Sequence, residues 1–212
     1  MSLNEAEAIQ AMNQKVIAYF SRLAAERGAT SHGVGMTERS QIRRFENLLK
    51  VGSLRKKTLL DVGCGYGDFY SFLQRKGIWV DYMGFDITPA MIEIAKQKNP
   101  KIADRFRLVN ILTEEIPERY DYVVSNGPLN IALDDNMPVM IRLIERMFQI
   151  CNIGMAVTMT SALTKRPKEG TFYYDPAEIL HRVSRFCQNL VLDHSYLPHD
   201  FALSCYRKSL YD

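Results

Sequence analysis

One stretch constrains the fold more than any other: residues 58–68, which read T-L-L-D-V-G-C-G-Y-G-D. The apolar and β-branched residues of its first half, bounded by glycine, predict a buried parallel strand. Gly63, Gly65 and Gly67 then alternate, and a helical pattern follows from Phe69. A glycine lets the chain turn sharply and lets a ligand approach the backbone, where the next helix presents unpaired N–H groups. This order predicts a nucleotide-type pocket at the carboxyl end of the strand.

The spacing of the glycines separates two kinds of nucleotide site. In the dinucleotide fingerprint, G-x-G-x-x-G, the third glycine comes five residues after the first. Here it comes four residues after, and an acidic residue stands two positions before the first glycine. The pattern D-x-G-x-G-x-G resembles motif I of class I S-adenosylmethionine-dependent methyltransferases. The resemblance implies that the residues of this turn bind S-adenosyl-L-methionine: Asp61, Gly63, Cys64, Gly65, Tyr66 and Gly67.

Length and composition suit a single globular domain. The chain has 212 residues, of which 47% are hydrophobic and 24% charged, as in ordinary globular proteins. No apolar run approaches the ~18 residues of a membrane span, and the first residues lack the basic-then-apolar order of a signal peptide. We therefore expect a cytoplasmic protein with no membrane partner.

Cysteine spacing and charge bear on possible metals and partners. The four cysteines are far apart and form no C-x-x-C pair, so the sequence suggests neither a zinc site nor a disulfide framework. The net charge is +3, and the basic clusters at 55–57 and 165–168 are short. A nucleic-acid binder normally shows a concentrated basic stripe, so a nucleic-acid partner is not favoured, although a tRNA or protein substrate stays open.

Two helices are predicted before the first strand. Apolar residues recur at helical spacing over 5–27, and a second helix is expected from Thr37 to about Gly52. The composition of 28–35 predicts a flexible loop between them. We expect a single methyltransferase-type domain over 1–212, with 1–52 forming a helical lid and 57–208 forming the sheet core.

From residue 57 the pattern alternates strand and helix, which predicts a doubly wound α/β sheet. Strands are expected at 58–62, 80–85, 105–109, 120–125 and 154–160. The last two, at 190–196 and 201–207, are linked by four residues, which permits only an antiparallel hairpin. Seven mostly parallel strands closed by such a hairpin resemble the methyltransferase sheet, whereas a nicotinamide-binding domain does not usually end this way.

An acidic residue ends the second predicted strand. Asp86 lies 23 residues after Gly63, where a carboxylate can accept hydrogen bonds from two ribose hydroxyls. Alternatively, Asp86 helps the next helix to begin. The string G-F-D-I-T-P-A-M-I-E-I-A at 84–95 resembles the methyltransferase family closely, which implies that Asp86 binds the ribose and that Ile87 lines the adenine.

The third predicted strand ends at Asn110, where many members of that family carry an aspartate beside the adenine amino group. An amide oxygen can accept the same hydrogen bond. The resemblance then implies that Ile111 contributes an apolar contact to the adenine.

The fourth strand ends in S-N-G-P-L-N at 125–130. Family members place the methionine moiety and the reactive methyl group against this loop, which implies a role for Asn126. Amino-group N-methyltransferases carry N/D-P-P-Y/F here, and Gly127 and Leu129 break that signature. The wider run resembles small-molecule-type or unassigned bacterial class I methyltransferases.

Two further stretches resemble the same proteins. S-Q-I-R-R-F at 40–45 resembles an arm that precedes their first strand, and 172–180 resembles their C-terminal third. Gln41 and Arg44 could reach the carboxylate of the ligand, arginine through its paired donors. The alternative for both is an ordinary surface helix face.

The sequence thus predicts a methyltransferase that acts on a small-molecule acceptor of unknown identity. No catalytic residue is assigned, because a base is needed only if the acceptor arrives protonated. Candidates for such a base are His32, Tyr173, Tyr174, His194 and His199. Three alternatives remain: methylation of tRNA or protein, a NAD-dependent oxidoreductase, and a non-catalytic S-adenosylmethionine-binding module. The oligomeric state is left open.

Overall fold

The structure is a computed structural model that describes residues 3–134 and 136–210. Six α-helices are formed by the described residues: α1 Leu3–Arg27, α2 Glu38–Leu48, α3 Asp68–Arg75, α4 Pro89–Lys98, α5 Asn136–Ile150 and α6 Pro176–Val183. The strands are β1 Thr58–Val62, β2 Asp81–Asp86, β3 Phe106–Leu108, β4 Tyr120–Asn126, β5 Cys151–Thr160, β6 Asn189–Leu197 and β7 Asp200–Tyr206. Short 3-10 turns occupy Ser31–Val34, Leu49–Val51 and Pro100–Arg105.

These seven strands form one sheet in the order β3-β2-β1-β4-β5-β7-β6. Strand β7 is antiparallel to both of its neighbours, β5 and β6, and the remaining neighbours pair in parallel. The predicted fold class and terminal hairpin are therefore confirmed. In register, Val62 pairs with Phe85 and Asp61 pairs with Val124. The residues that follow β1, β2 and β4 consequently meet at one edge, the carboxyl edge of the sheet.

Successive residues of β1 face opposite sides of the sheet, because side chains alternate along a strand. Leu60 belongs to a core shared with α5 and α6, through residues such as Met140 and Ile179. Leu59 belongs to a second core, packed against α2, α3 and α4 through residues such as Phe72. A sheet covered on both faces leaves its carboxyl edge as the place for a site.

Helix α1 lies over this carboxyl edge. Its buried residues Met12 and Val16 pack with Val139 and with apolar residues of the loop that follows β4, such as Leu129. Further along, Ala24 packs against Tyr66 of the glycine turn. The N-terminal segment thus covers the edge as a lid would, whereas the division into a 1–52 lid and a 57–208 core stays a prediction.

The segment at 28–35 is more ordered than its composition predicts. Gly33 N donates to the Thr30 side chain at 3.4 Å, which caps a 3-10 turn. Tyr66 Oη donates to Gly33 O at 3.2 Å, which ties this turn to the segment after β1. The loop thus contains a capped 3-10 turn, which its composition did not predict, because it depends on specific hydrogen bonds, one of them to a distant residue.

No described helix combines the length and the apolar composition that crossing a bilayer requires.

Candidate active site

The glycine turn after β1 is pinned to the end of β2. Gly63 N and Cys64 N both donate to Phe85 O, at 2.7 and 3.0 Å. Gly65 N donates to Asp86 Oδ2 at 2.9 Å. These bonds need a backbone that curls back on itself, and Gly63 and Gly65 accordingly have φ values of 71° and 53°, which favour glycine.

The three glycines of the turn have different structural roles. A Cβ at Gly63 would have no neighbour closer than Ser125 Oγ, at 4.0 Å, and one at Gly65 would make ordinary contact with Val34 Cγ1 at 3.5 Å. A Cβ at Gly67 would come within 2.8 Å of the Phe106 ring. Gly67 therefore permits packing of α3 against the sheet, while Gly63 and Gly65 leave backbone open toward the carboxyl edge.

Cys64 and Tyr66 line the same turn, but their side chains pack inward. Cys64 is buried in the core on the α3 side, where its Sγ would lie 3.0 Å from a Cβ on Gly84. Tyr66 is fully buried, and its hydroxyl is used by Gly33. Both residues therefore offer a ligand backbone rather than side-chain atoms.

Asp86 holds the turn and the start of α4 together. Its Oδ2 accepts from Gly65 N, and its Oδ1 accepts from Thr88 N at 2.8 Å. Thr88 occupies the N-cap position of α4 without a side-chain cap bond, so the structural role considered for Asp86 is present. Burial raises the pKa of Asp86, and the N–H groups of Thr88 and Gly65 oppose that rise.

Asp61 is a buried acid beneath the turn. Tyr82 Oη donates to its Oδ2 at 2.7 Å. Burial raises the pKa of Asp61 to about 7, although the tyrosine hydrogen bond acts in the opposite direction. A cation nearby would favour the ionised form of this carboxyl.

A small cavity of about 40 Å³ lies against the turn. Its wall includes Asp61, Gly63 and Gly65 from the sheet side, and Val34 and Met36 from the lid side.

Gln41 also lines this cavity, and its Nε2 donates to Asp68 Oδ2 at 3.1 Å. It is 8% exposed, so a surface helix face is wrong for Gln41. Its position beside the turn leaves a role toward a ligand open.

Arg44 is buried too, with 4% exposure, and it is not on a surface face. Its Nε and Nη2 donate to the two oxygens of Asp200, at 2.7 and 2.6 Å. Sequence reasoning missed Asp200 as a partner. The available signal was a carboxylate at the start of an apolar strand, which requires compensation when buried.

The loop after β4 explains why the N-P-P-Y pattern is absent. Gly127 has φ 65°, and a Cβ there would overlap Arg44 Nη1 and lie 2.6 Å from Asn130 Nδ2. Proline fixes φ near −65° and carries a Cβ, so it cannot occupy this position. Leu129 also has a positive φ, 53°. Its carbonyl accepts from Tyr174 Oη at 2.8 Å, which helps to hold the strained loop.

Of the three residues predicted to lie near the adenine, two are at the carboxyl edge of the sheet and one is in the core. Ile87 packs beneath α1 at the carboxyl edge. Asn110 Oδ1 accepts from Leu112 N at 3.0 Å and keeps a second lone pair. Ile111 is 2% exposed and packs into the core on the α5 side, so its side chain faces the core more than the edge.

The five candidate bases lie outside the residues that line the described cavity. His194 Nε2 is 2.7 Å from Ser161 Oγ, and His199 Nε2 is 3.8 Å from Asp200 Oδ2. Tyr174 is engaged by Leu129, Tyr173 Oη accepts from Lys168 N at 2.8 Å, and His32 is exposed. The geometry therefore singles out none of these five residues as a base.

Comparison with known families decides the assignment. The Methyltransferase domain family matches residues 54–194, which span the sheet from before β1 into β6. The chain belongs to the class I S-adenosylmethionine-dependent methyltransferases. It is therefore an enzyme whose cofactor is S-adenosyl-L-methionine.

Among curated relatives, Rv1506c of Mycobacterium tuberculosis, a methyltransferase by name, is 25% identical over 150 residues. That alignment covers 68% of this chain and 89% of the relative. The malonyl-[acyl-carrier protein] O-methyltransferase of Acetivibrio thermocellus is 33% identical over 83 residues, which are 38% of this chain and 29% of that protein.

Solved structures agree on the fold. Magnesium protoporphyrin IX methyltransferase from Synechocystis PCC 6803, with bound S-adenosylmethionine, has a TM-score of 0.68 at 16% identity. The match covers 92% of this chain and 97% of that one. The complex of DhpI with S-adenosylhomocysteine has a TM-score of 0.66 at 17% identity, covering 93% and 97%. At these identities the likeness concerns the fold.

Proposed function

We propose that this methyltransferase acts on a small-molecule acceptor. The observation that carries the proposal is the cover over the carboxyl edge: α1 packs on the loop after β4, and the 3-10 turn of the lid packs on the glycine turn. A macromolecular surface would have to displace this cover to reach the edge, whereas a small molecule needs only a local opening. The structurally similar magnesium protoporphyrin IX methyltransferase is named for a small-molecule substrate, which supports the same reading.

The residues at the edge fit S-adenosyl-L-methionine. Gly63 and Gly65 leave space where a Cβ would stand, and the carboxylate of Asp86, an acceptor of hydrogen bonds, lies beside them. We assign the cofactor to these residues predicted from the sequence: Gln41, Asp61, Gly63, Cys64, Gly65, Tyr66, Gly67, Asp86, Ile87, Asn110 and Ile111. The sequence also predicts Arg44 and Asn126 for the cofactor, but these two contact Met36 beside the cavity, at the loop after β4. When bound, the cofactor supplies a methyl group that its sulfonium already activates.

What the chain itself contributes is orientation and exclusion of water, which supply most of the effect in an in-line transfer. Asp86 positions hydroxyl groups through hydrogen bonds, and Asp61 offers a negative charge that a nearby ligand cation would stabilise. The buried packing around the turn keeps these groups fixed before the ligand arrives.

The cover must open to admit a ligand. Pockets for small molecules measure about 300–1,000 Å³, while the cavity at the turn measures about 40 Å³. Val34 and Met36 form its lid side, so the segment from the 3-10 turn to Met36 is the part that moves.

An acceptor screen tests the proposal. Formation of S-adenosylhomocysteine is measured with a panel of small metabolites and, in parallel, with total tRNA and with denatured and native cell protein. We expect turnover with one or more small molecules alone. Turnover confined to tRNA or protein would overturn the small-molecule assignment, and binding of S-adenosylhomocysteine without turnover on any acceptor would favour a non-catalytic module.

A further inference from the structure

Three nitrogen donors lie close to the side chain of Met36, beside the cofactor cavity. Arg44 Nη1 lies 3.6 Å from Met36 Sδ, and Asn126 Nδ2 lies 3.8 Å from the same atom. Asn130 Nδ2 and Arg44 Nη1 both crowd the position of a Cβ on Gly127, to which Met36 Cε would be 3.3 Å. We call these three nitrogens, with the space that Met36 occupies between them, the donor slot.

The donors are held in place by what their other atoms bind. Arg44 is fixed by both oxygens of Asp200. Asn126 Oδ1 accepts from Thr158 Oγ1 at 3.0 Å. Asn130 Oδ1 accepts from Thr160 N at 3.4 Å and lies 3.2 Å from the Thr160 hydroxyl, which donates to Phe172 O at 2.5 Å. Because the oxygen of each amide is used in this way, each amide turns its NH₂ group toward the slot.

The group that now fills the slot is a poor partner for it. A thioether sulfur is a weak hydrogen-bond acceptor, yet Met36 Sδ is the acceptor for the third nitrogen of the buried Arg44 guanidinium. A buried cationic donor gains much more from an oxygen, above all from a carboxylate. Met36 belongs to the segment that must move when the cavity opens, so its departure would expose the slot.

The position of the slot indicates which ligand it serves. Asn126 ends β4, Asn130 follows it, and Arg44 comes from α2. Their partners Thr158, Thr160 and Asp200 belong to β5 and β7. The glycine turn and Asp86 lie on the other side of β4, above β1 and β2. Asn126 and Met36 also line the cavity at the turn, so the slot adjoins the cofactor without being part of its glycine cradle.

We propose that the donor slot binds a carboxylate of the methyl acceptor, with Arg44 Nη1, Asn126 Nδ2 and Asn130 Nδ2 as its donors. This inference rests on the proposed small-molecule function and narrows the substrate class to carboxylate-bearing acceptors. Met36 is then a displaceable plug, and the ion pair of Arg44 with Asp200 positions the guanidinium.

The test measures binding of succinate to the protein saturated with S-adenosylhomocysteine, with neutral succinamide as the matched probe. Asn130→Asp keeps the oxygen that Thr160 needs and replaces the donor with a repelling oxygen. Met36→Gln places an amide oxygen of the chain itself in the slot. Asn152→Asp adds the same charge at the exposed start of β5, on the opposite edge of the sheet, and serves as the control.

We expect succinate to bind the parent about tenfold more tightly than succinamide, because hydrogen bonds to a charged group are the stronger ones. Asn130→Asp and Met36→Gln should each weaken succinate about tenfold. Asn152→Asp should leave succinate binding unchanged, and both Asn130→Asp and Asn152→Asp should bind S-adenosylhomocysteine as the parent does. If Asn130→Asp does not fold, Met36→Gln carries the test alone, since Met36 is half-buried in the movable segment.

Three results would overturn the inference. One is the absence of succinate-specific binding to the parent, and another is equal succinate binding by the parent and both slot variants. The third is that Asn130→Asp loses affinity for S-adenosylhomocysteine but not for 5′-methylthioadenosine, which lacks the amino-acid carboxylate. The slot would then bind the carboxylate of the cofactor. Failure of the proposed function is seen separately, as transfer to tRNA or protein alone in the acceptor screen.

Discussion

The two halves of the carboxyl edge are built in different ways. The half that we propose for the cofactor, called the cofactor half, is the turn after β1, closed by a hydrogen bond from Gly65 to Asp86, 21 residues away. The half that we propose for the acceptor, called the acceptor half, is the loop after β4, packed against the ion pair of Arg44 with Asp200, whose partners are 156 residues apart. One half is a local motif, and the other is assembled from the lid, the middle of the sheet and the terminal hairpin.

This difference shows how a common fold can keep one site and vary another. The cofactor half depends on backbone geometry that few residue types allow, such as the positive φ of Gly63 and Gly65. The acceptor half depends on side chains that compensate one another across the chain. A change at Gly127, for example, requires a change in Arg44 or Asn130, because a Cβ there would overlap them.

The largest effect on stability is expected at the buried ion pair of the acceptor half. Asp200→Asn leaves the buried guanidinium of Arg44 without its counter-charge and should lower the free energy of unfolding by about 3–5 kcal/mol. Chemical denaturation measures this change in the free energy of unfolding. The matched control, Glu178→Gln, breaks the exposed pair with Arg182 and should change stability by less than about 1 kcal/mol. Equal effects of the two substitutions would contradict the view that the acceptor half is organised by this ion pair.

The cofactor half has its own buried charge, which pH can test. The pKa of Asp61 is about 7 in the folded protein and near 3.9 in an unfolded chain. Below about pH 4 the carboxyl is neutral in both states and costs nothing. Between about pH 4 and 7 the unfolded state ionises first, so stability falls with rising pH, and above 7 the loss is constant.

We therefore compare the parent with Asp61→Asn, whose amide oxygen still accepts from Tyr82 but cannot ionise. The unfolding free energy of the parent relative to this variant should fall by about 3 kcal/mol from pH 4 to pH 7. A difference that is constant or rises over this range would show that Asp61 is ionised throughout in the folded protein.

Gly65 tests the backbone geometry of the cofactor half. In Gly65→Val a branched side chain would project into the cavity side of the turn, and affinity for S-adenosylhomocysteine should fall about 100-fold or more. Gly77→Val is a matched control, because Gly77 has φ 66° with open space around it and lies at the other end of α3. Calorimetry measures the affinity of both folded variants for S-adenosylhomocysteine, and the difference between them separates loss of a ligand contact from backbone strain. If both variants bind S-adenosylhomocysteine equally well, the pocket lies elsewhere.

Substitution of Asp86 should lower ligand affinity less than substitution of Gly65, and it should also lower stability. Asp86→Ala removes the acceptor of Gly65 N and Thr88 N as well as the proposed ribose contacts. Affinity for S-adenosylhomocysteine should fall about tenfold or more, and unfolding should become easier by about 1–3 kcal/mol. Methionine, which has no ribose, should bind the variant and the parent equally weakly. Destabilisation with unaltered affinity for S-adenosylhomocysteine would leave Asp86 with a purely structural role.

The same contrast explains what could be predicted from the sequence. The doubly wound sheet, the hairpin and the glycine turn follow from local patterns: alternation of strands and helices, a link too short for a crossover, and glycines at fixed spacing. The partner of Arg44 could not be predicted, because no local pattern joins residue 44 to residue 200. The order in 28–35 was likewise missed, since it depends on Tyr66 from another part of the chain.

One measurement tests the division of the edge most directly: a titration of protein labelled at its methionine methyl groups, followed by NMR. Met91 Sδ would lie 3.8 Å from a Cβ on Gly65, Met36 lines the cavity, and Met147 is buried in α5 near the opposite edge. S-adenosylhomocysteine should shift the signals of Met91 and Met36 and leave Met147 unmoved, and subsequent succinate should shift Met36 alone. A shift of Met147 with Met91 and Met36 unchanged would contradict the account.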